Sequence, residues 1–156
     1  MMNGICHVSR IILLSLICIL NSGCSLWQNR VGLDAVVIDA VPQANDNSPV
    51  AVDIVAIADA SLVPVIQALS ASQWFNAKSQ YLHDYPDGLR IWSLELVPDS
   101  HFVADENPLQ GAQAQALLLF ARYRSEGEHR LRLDNMDSLH LLLMTDDAVL
   151  APEQGK

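Results

Sequence analysis

Apolar and polar positions fall into three regimes along the chain. The first is one unbroken greasy run, Ile11 to Leu20. The second is a series of short apolar segments separated by turn-forming clusters. "LDAVVIDAV", Leu33 to Val41, stops at Pro42 and is followed by the cluster "PQANDNSP"; "VAVDIVAI", Val50 to Ile57, then runs apolar with Asp53 on one face. Runs rich in β-branched residues and bounded by Pro, Asn and Asp predict strands. "LRIWSLELV", Leu89 to Val97, alternates, and its Trp92, Leu94 and Leu96 are expected to face a core.

The C-terminal half repeats the pattern. "AQALLLFARYR", Ala114 to Arg124, leads through "SEGE" into "HRLRLDN", and the spacing around Gly127 predicts a hairpin. "SLHLLLMT", Ser138 to Thr145, is short for a helix and reads as a further strand. These make six strands, and a seventh if "SHFVA" pairs.

The third regime lies between Asp59 and Tyr85. Trp74, the Lys78 stem, Tyr81, Leu82 and Tyr85 recur at helical spacing, Ser72 is placed to cap, and Pro86 stops the run, so a helix is predicted over 73–85. A shorter helical turn is expected over 62–69, with Pro64 close enough to its start to cost little. Strands with one helical excursion predict a mainly β fold: a two-layer antiparallel β-sandwich with one or two short helices over an open end or edge.

Composition narrows the class. A chain of 156 residues holds one ordinary core, and 51% hydrophobic against 17% charged residues excludes intrinsic disorder. The first apolar run is about half the roughly 20 residues that cross a bilayer. With Arg10 and His7 before it and the small residues Ser22 and Gly23 after it, it reads as an export signal rather than a span. The expected organisation is a signal over 1–23, a tether over 24–32, a sandwich domain over 33–150 and a tail over 151–156.

Cysteine usage agrees. Of Cys6, Cys18 and Cys24, only Cys24 survives cleavage, so no disulfide can form within the remaining chain. A single terminal thiol in an oxidising compartment calls for modification. The stretch "LNSGC" resembles the bacterial lipoprotein signal, with Ser22 and Gly23 before the cysteine and Asn21 where leucine is usual. That resemblance implies acylation of Cys24 with diacylglycerol and palmitate. Ser25, where an aspartate would resemble an inner-membrane retention signal, implies the outer membrane. Two or more acyl chains anchor stably, so the domain itself need not touch lipid.

Loss of the signal leaves eight basic against eighteen acidic residues, net −10. Such a charge argues against nucleic acid and against docking on an anionic bilayer.

Candidate chemistry is sparse. His83, His101, His129 and His140 have no second ligand at metal spacing, so no metal site is expected. His83 and Asp84 are adjacent on the predicted helix and point about 100° apart. The chain carries no G-x-S-x-G elbow, P-loop or G-x-G-x-x-G. Asp105–Glu106 and Asp146–Asp147 read as solvated charge. No catalytic constellation and no cofactor are expected.

From Asn45 to Asp99 the order "NDNSPVAVDIVAI", helical "SASQWFNAKSQYL" and "GLRIWSLELVPD" resembles the type VI secretion system outer-membrane lipoprotein family (TssJ-like). The resemblance implies a transthyretin-like sandwich tethered under the outer membrane. Such a domain binds the periplasmic end of a large inner-membrane protein and fixes a trans-envelope complex, without cofactor or turnover. In that family the loop between the first two strands grips the partner. Asn45, Asp46 and Asn47 in that loop, and Phe102 in the later connection, are the candidate contacts. Two alternatives stand beside it: an enzyme using His83, His101 or His129, and a lipoprotein that binds a small ligand or envelope polymer in a pocket lined by Trp74, Tyr81 and Trp92.

Overall fold

Two four-stranded sheets face each other in the computed structural model, which describes residues 29–152. Residues 1–28 and 153–156 lie outside the described residues, and with them the expected signal, Cys24 and most of the tether and tail. The first sheet has the order β4–β1–β7–β8, from β4 (Ser100–Val103), β1 (Ala35–Ala40), β7 (Ser138–Leu143) and β8 (Ala148–Leu150). The second has the order β3–β2–β5–β6, from β3 (Leu89–Leu96), β2 (Val50–Ile57), β5 (Ala116–Arg122) and β6 (Arg130–Arg132). "SHFVA" does pair, against β1.

Alternation in the sequence becomes alternation in burial. Val36, Ile38 and Ala40 of β1 turn inward while Asp39 turns out. β2 and β5 instead read as continuous apolar runs because both of their faces are covered. Ile54, Leu119, Ile38, Leu139, Leu141 and Leu133 fill the space between the sheets. Val55, Ile57, Leu118 and Phe120 point the other way, under α1 (Val63–Ile66) and α2 (Ala71–Asp84), where Ile66 and Trp74 close a second core. Trp92 and Leu94 of β3 pack on the inter-sheet core half-buried, and Leu96 is buried there. None of the described helices is long and apolar enough to cross a membrane.

Three local expectations are corrected. α2 starts at Ala71, and its cap is Ser70 rather than Ser72. The Ser70 hydroxyl accepts from the Gln73 backbone N–H at 3.3 Å while the Gln73 side chain accepts from the Ser70 N–H at 2.9 Å, a reciprocal capping box that satisfies two orphan donors. The sheets are antiparallel except for β1 and β7, which run parallel. β8, three residues long, adds an eighth strand beside β7.

The register places four connections at one end of the sandwich: β1–β2 (41–49), β3–β4 (97–99), β5–β6 (123–129) and β7–β8 (144–147). This is the loop end. The chain enters at the opposite end. There Val31 is buried and donates to Ala112 O at 2.9 Å, Gly111 N–H donates back to Val31 O, Ala114 N–H donates to Asn29 O, and the Arg30 guanidinium donates to Gly111 O. Among the described residues, Asn29 and Val31 are thus already docked on the sandwich ahead of Leu33.

Candidate functional site

The loop end is built from turn chemistry. Val41 at the end of β1 accepts from Ala44 N–H, and Asn45, Asp46 and Asn47 follow with φ of 49, 53 and 57°. Asn and Asp tolerate this left-handed region because their short polar side chains bond locally. Three such residues in succession turn the chain sharply into β2.

Within that turn the three candidates have different roles. Asn45 is 4% exposed; its Nδ2 donates to Pro49 O at 2.9 Å and its Oδ1 accepts from Arg124 N–H at 2.7 Å. Its side chain therefore fastens the β1–β2 loop to the end of β5. Asp46 and Asn47 are exposed at the tip. Phe102, in β4, lies opposite Ile38 and packs half-buried beside Trp92, ring centroids 6.4 Å apart. Exposed apolar surface at this end comes from Val97 in the β3–β4 connection and Met144 after β7.

The four loops are cross-linked. Asn45 N–H donates to Met144 O, Asp99 N–H to Val41 O, Tyr123 OH to Asp147 O at 2.8 Å, and Ser125 Oγ to Asp146 O at 2.8 Å. Burial, together with the charges of Asp147 and Asp146, pushes the Tyr123 phenol well above its usual range, so it stays a neutral donor. Between the β1–β2 loop and the end of β5 runs an open groove of about 370 Å³, walled by Ser48, Pro49, Glu95, Arg122 and Arg124. Sequence reasoning missed Tyr123, Arg124 and Asp147 as parts of this end because they are far from Asn45 in the chain.

The histidines fall into separate places. His83 is exposed on α2, 3.2 Å from Asp84. His101 Nδ1 and His140 Nε2 lie 2.6 and 2.7 Å from the two oxygens of Asp39 on the outer face of the first sheet. His129 is buried at the loop end. The three histidines of the enzyme alternative are thus scattered, and no group able to hold a metal ion occurs among the described residues.

The aromatic pocket of the ligand-binding alternative is a filled core. Trp74 is fully buried and stacks on Phe120 and Tyr81, with centroids 5.1 and 6.2 Å away. Trp92 belongs to the other core, on the far side of the second sheet.

By sequence the chain matches no family model and no curated protein. By fold it is similar to Serratia marcescens Lip, a membrane-bound component of the type VI secretion system, with a TM-score of 0.57 at 13% identity over 78% of this chain and 96% of that one. The type VI lipoprotein TssJ1 of Pseudomonas aeruginosa gives 0.56 at 14% identity, again over 78% and 96%. The type VI protein TssM C-terminal domain from EAEC gives 0.56 at 16% identity over 77% and 99%. The chain has the TssJ-like fold, a mainly β sandwich of two four-stranded sheets with two helices on one face.

Proposed function

We propose that the chain is an outer-membrane-anchored periplasmic lipoprotein whose loop end binds a large inner-membrane protein, helping to assemble the trans-envelope complex of a type VI secretion system. The observation that carries this reading is directional: the chain enters the sandwich at the end opposite the four cross-linked loops. An acylated Cys24 holds the entry end at the membrane, and the loop end then points into the periplasm, where a partner rising from the inner membrane meets it. The fold neighbours, a membrane-bound secretion component and a secretion lipoprotein among them, support the same role.

Partner contact falls to the exposed tip residues Asp46 and Asn47, with Val97 and Met144 supplying apolar surface on the same end. Loops on a rigid sandwich vary in sequence without disturbing the core, which suits them to recognition. No turnover is involved.

The test has two arms. Labelled fatty acid is expected on the wild type and not on Cys24→Ala. Affinity capture of the lipidated chain from membranes is expected to recover a large inner-membrane secretion component, and Asp46→Lys with Asn47→Lys to lower that recovery at unchanged Tm. Recovery of no such component above background overturns the reading.

A further inference from the structure

Glu95, Ala51 and Arg122 stand abreast on three neighbouring strands of the second sheet, Ala51 pairing with Glu95 on one side and Arg122 on the other. Directly opposed residues of antiparallel strands share a face. Here it is the face on which Asp53, two residues along β2, meets Trp74 of α2. Ala51 is half-buried and offers only a methyl group, so it floors a notch between an acid and a base about 10 Å apart, two strand spacings. This notch is the floor of the groove of about 370 Å³ that Ser48, Pro49 and Arg124 wall on the loop side.

Both arginines of the groove are held in place, and neither is neutralised. The Arg122 guanidinium lies 5.8 Å from the ring centroid of Phe75 in α2. Arg124 Nη1 donates to Ser48 Oγ at 3.2 Å, while its backbone N–H is fixed by Asn45 Oδ1 at 2.7 Å. Lys78, Arg130 and Arg132 each take a carboxylate, from Asp53, Glu128 and Asp134. Arg122 and Arg124 form no ion pair among the described residues, although acidic residues outnumber Lys and Arg two to one, 18 against 9. A guanidinium presents its N–H groups in a planar fork that matches a carboxylate. Two such forks, set at one end of the groove and left uncompensated, are short of an anion.

We propose that this groove receives an acidic segment of a protein partner, with a carboxylate side chain seated against Arg122 and Arg124. Glu95 on the opposite wall selects the kind of anion. It repels a phosphate or a polyanion that would fill the notch, and it accepts a backbone N–H or a lysine ammonium from a peptide that crosses it. Elsewhere a domain of net negative charge turns such a segment away, so the groove also sets where the segment lands. That the segment belongs to the inner-membrane secretion protein rests on the proposed function; the choice of carboxylates by the groove does not.

The decisive measurement is 15N NMR of the full chain in neutral detergent micelles, titrated with a capped pentapeptide of alternating glutamate and alanine. The peptide is expected to shift the Nε–H signals of Arg122 and Arg124 and the amide of Ala51 saturably, more weakly as salt is raised, and its lysine counterpart to leave them still. Arg122→Gln with Arg124→Gln is expected to weaken binding about tenfold or more, the loss of charge-assisted hydrogen bonds. Shifts that do not saturate, that fall equally on the exposed Arg30 and Arg90, or that survive in the double variant overturn the proposal. Inorganic phosphate binding at the same signals as tightly as the peptide also overturns it, by showing a general anion site. In affinity capture from membranes, the double variant is expected to recover less of the partner at unchanged Tm, and equal recovery removes the groove from the interface. Capture that fails for the wild type while the peptide titration stands supports the groove and sinks only the secretion reading.

Discussion

The indole Nε1 of Trp74 donates to Asp53 Oδ2 across 2.9 Å, tying the first turn of α2 to the middle of β2 in a contact buried from solvent. The same oxygen takes Lys78 Nζ at 2.9 Å, and the other takes Ser93 Oγ at 2.6 Å. Every donor that reaches Asp53 therefore depends on one carboxylate. Asp53→Ala strands a buried indole N–H and an ammonium together, and is expected to cost about 3–5 kcal/mol, the range for breaking a buried pair. Urea denaturation would show it, and a loss under 1 kcal/mol would mean the cluster is not coupled as described.

Trp74 is also fully buried, stacked on Phe120 and Tyr81. Trp74→Ala removes the ring between Phe120 and Tyr81 and is expected to cost about 3–5 kcal/mol, whereas Trp74→Phe loses the hydrogen bond and part of the volume only. The ordering, with phenylalanine the milder, is checked by the same denaturation series.

The helix cap makes a sharper test because two serines compete for it. Ser70→Ala is expected to destabilise by about 0.5–2 kcal/mol, and Ser72→Ala by next to nothing, since Ser72 lies inside the helix. Equal effects would show that the capping box is not formed.

Asn45 separates fastening from recognition. Because its side chain bonds Pro49 and the Arg124 backbone, Asn45→Ala is expected to lower stability by about 1–3 kcal/mol, the cost of leaving a buried group unpaired at an αL position. Substitutions at the neighbouring tip residues Asp46 and Asn47 by glycine should leave Tm within a degree or two. Thermal melts of the three variants decide this.

Hydrogen bonds to His101 and then His140 hold the Asp39 carboxyl below the ordinary aspartate value of 3.8. A folded value lower than the unfolded one gives a contribution to stability that is present above pH 3.8 and lost as pH falls through the folded value. His101→Ala with His140→Ala should move the Asp39 titration back up, read by carboxyl 13C NMR. An Asp39 titration indifferent to both histidines would refute the arrangement.

Much of this architecture was legible in the residues. β2 stands out as eight apolar-rich positions, and its bounds follow from Pro49 before it and the turn after Ile57. The helical spacing alone puts the start of the helix two residues late, because Ser72 and Ser70 have equal capping propensity. The signal that separates them is the partner three positions on, where glutamine closes a box from Ser70 and phenylalanine cannot from Ser72. β8 had no local signature because three residues are too few to show alternation, although it pairs with β7 close by in the chain; the parallel pairing of β1 with β7 had none because it is fixed by contacts about a hundred residues apart. The same distance hid the site. Asn45 reads as a turn former, and nothing beside it in the chain shows that Arg124 will bond its side chain.

β1 joins the entry end directly to the β1–β2 loop, and it lies between β4 and β7 with hydrogen bonds on both sides. If the chain is anchored at its entry end and held by a partner at that loop, tension between the two runs along β1 itself. Bonds perpendicular to a pull share it and fail together, whereas bonds at a peeled edge fail one after another. A strand gripped on both flanks and loaded lengthwise is the arrangement that resists extraction best, so the same six residues that begin the fold also give it mechanical strength along the axis between membrane and partner.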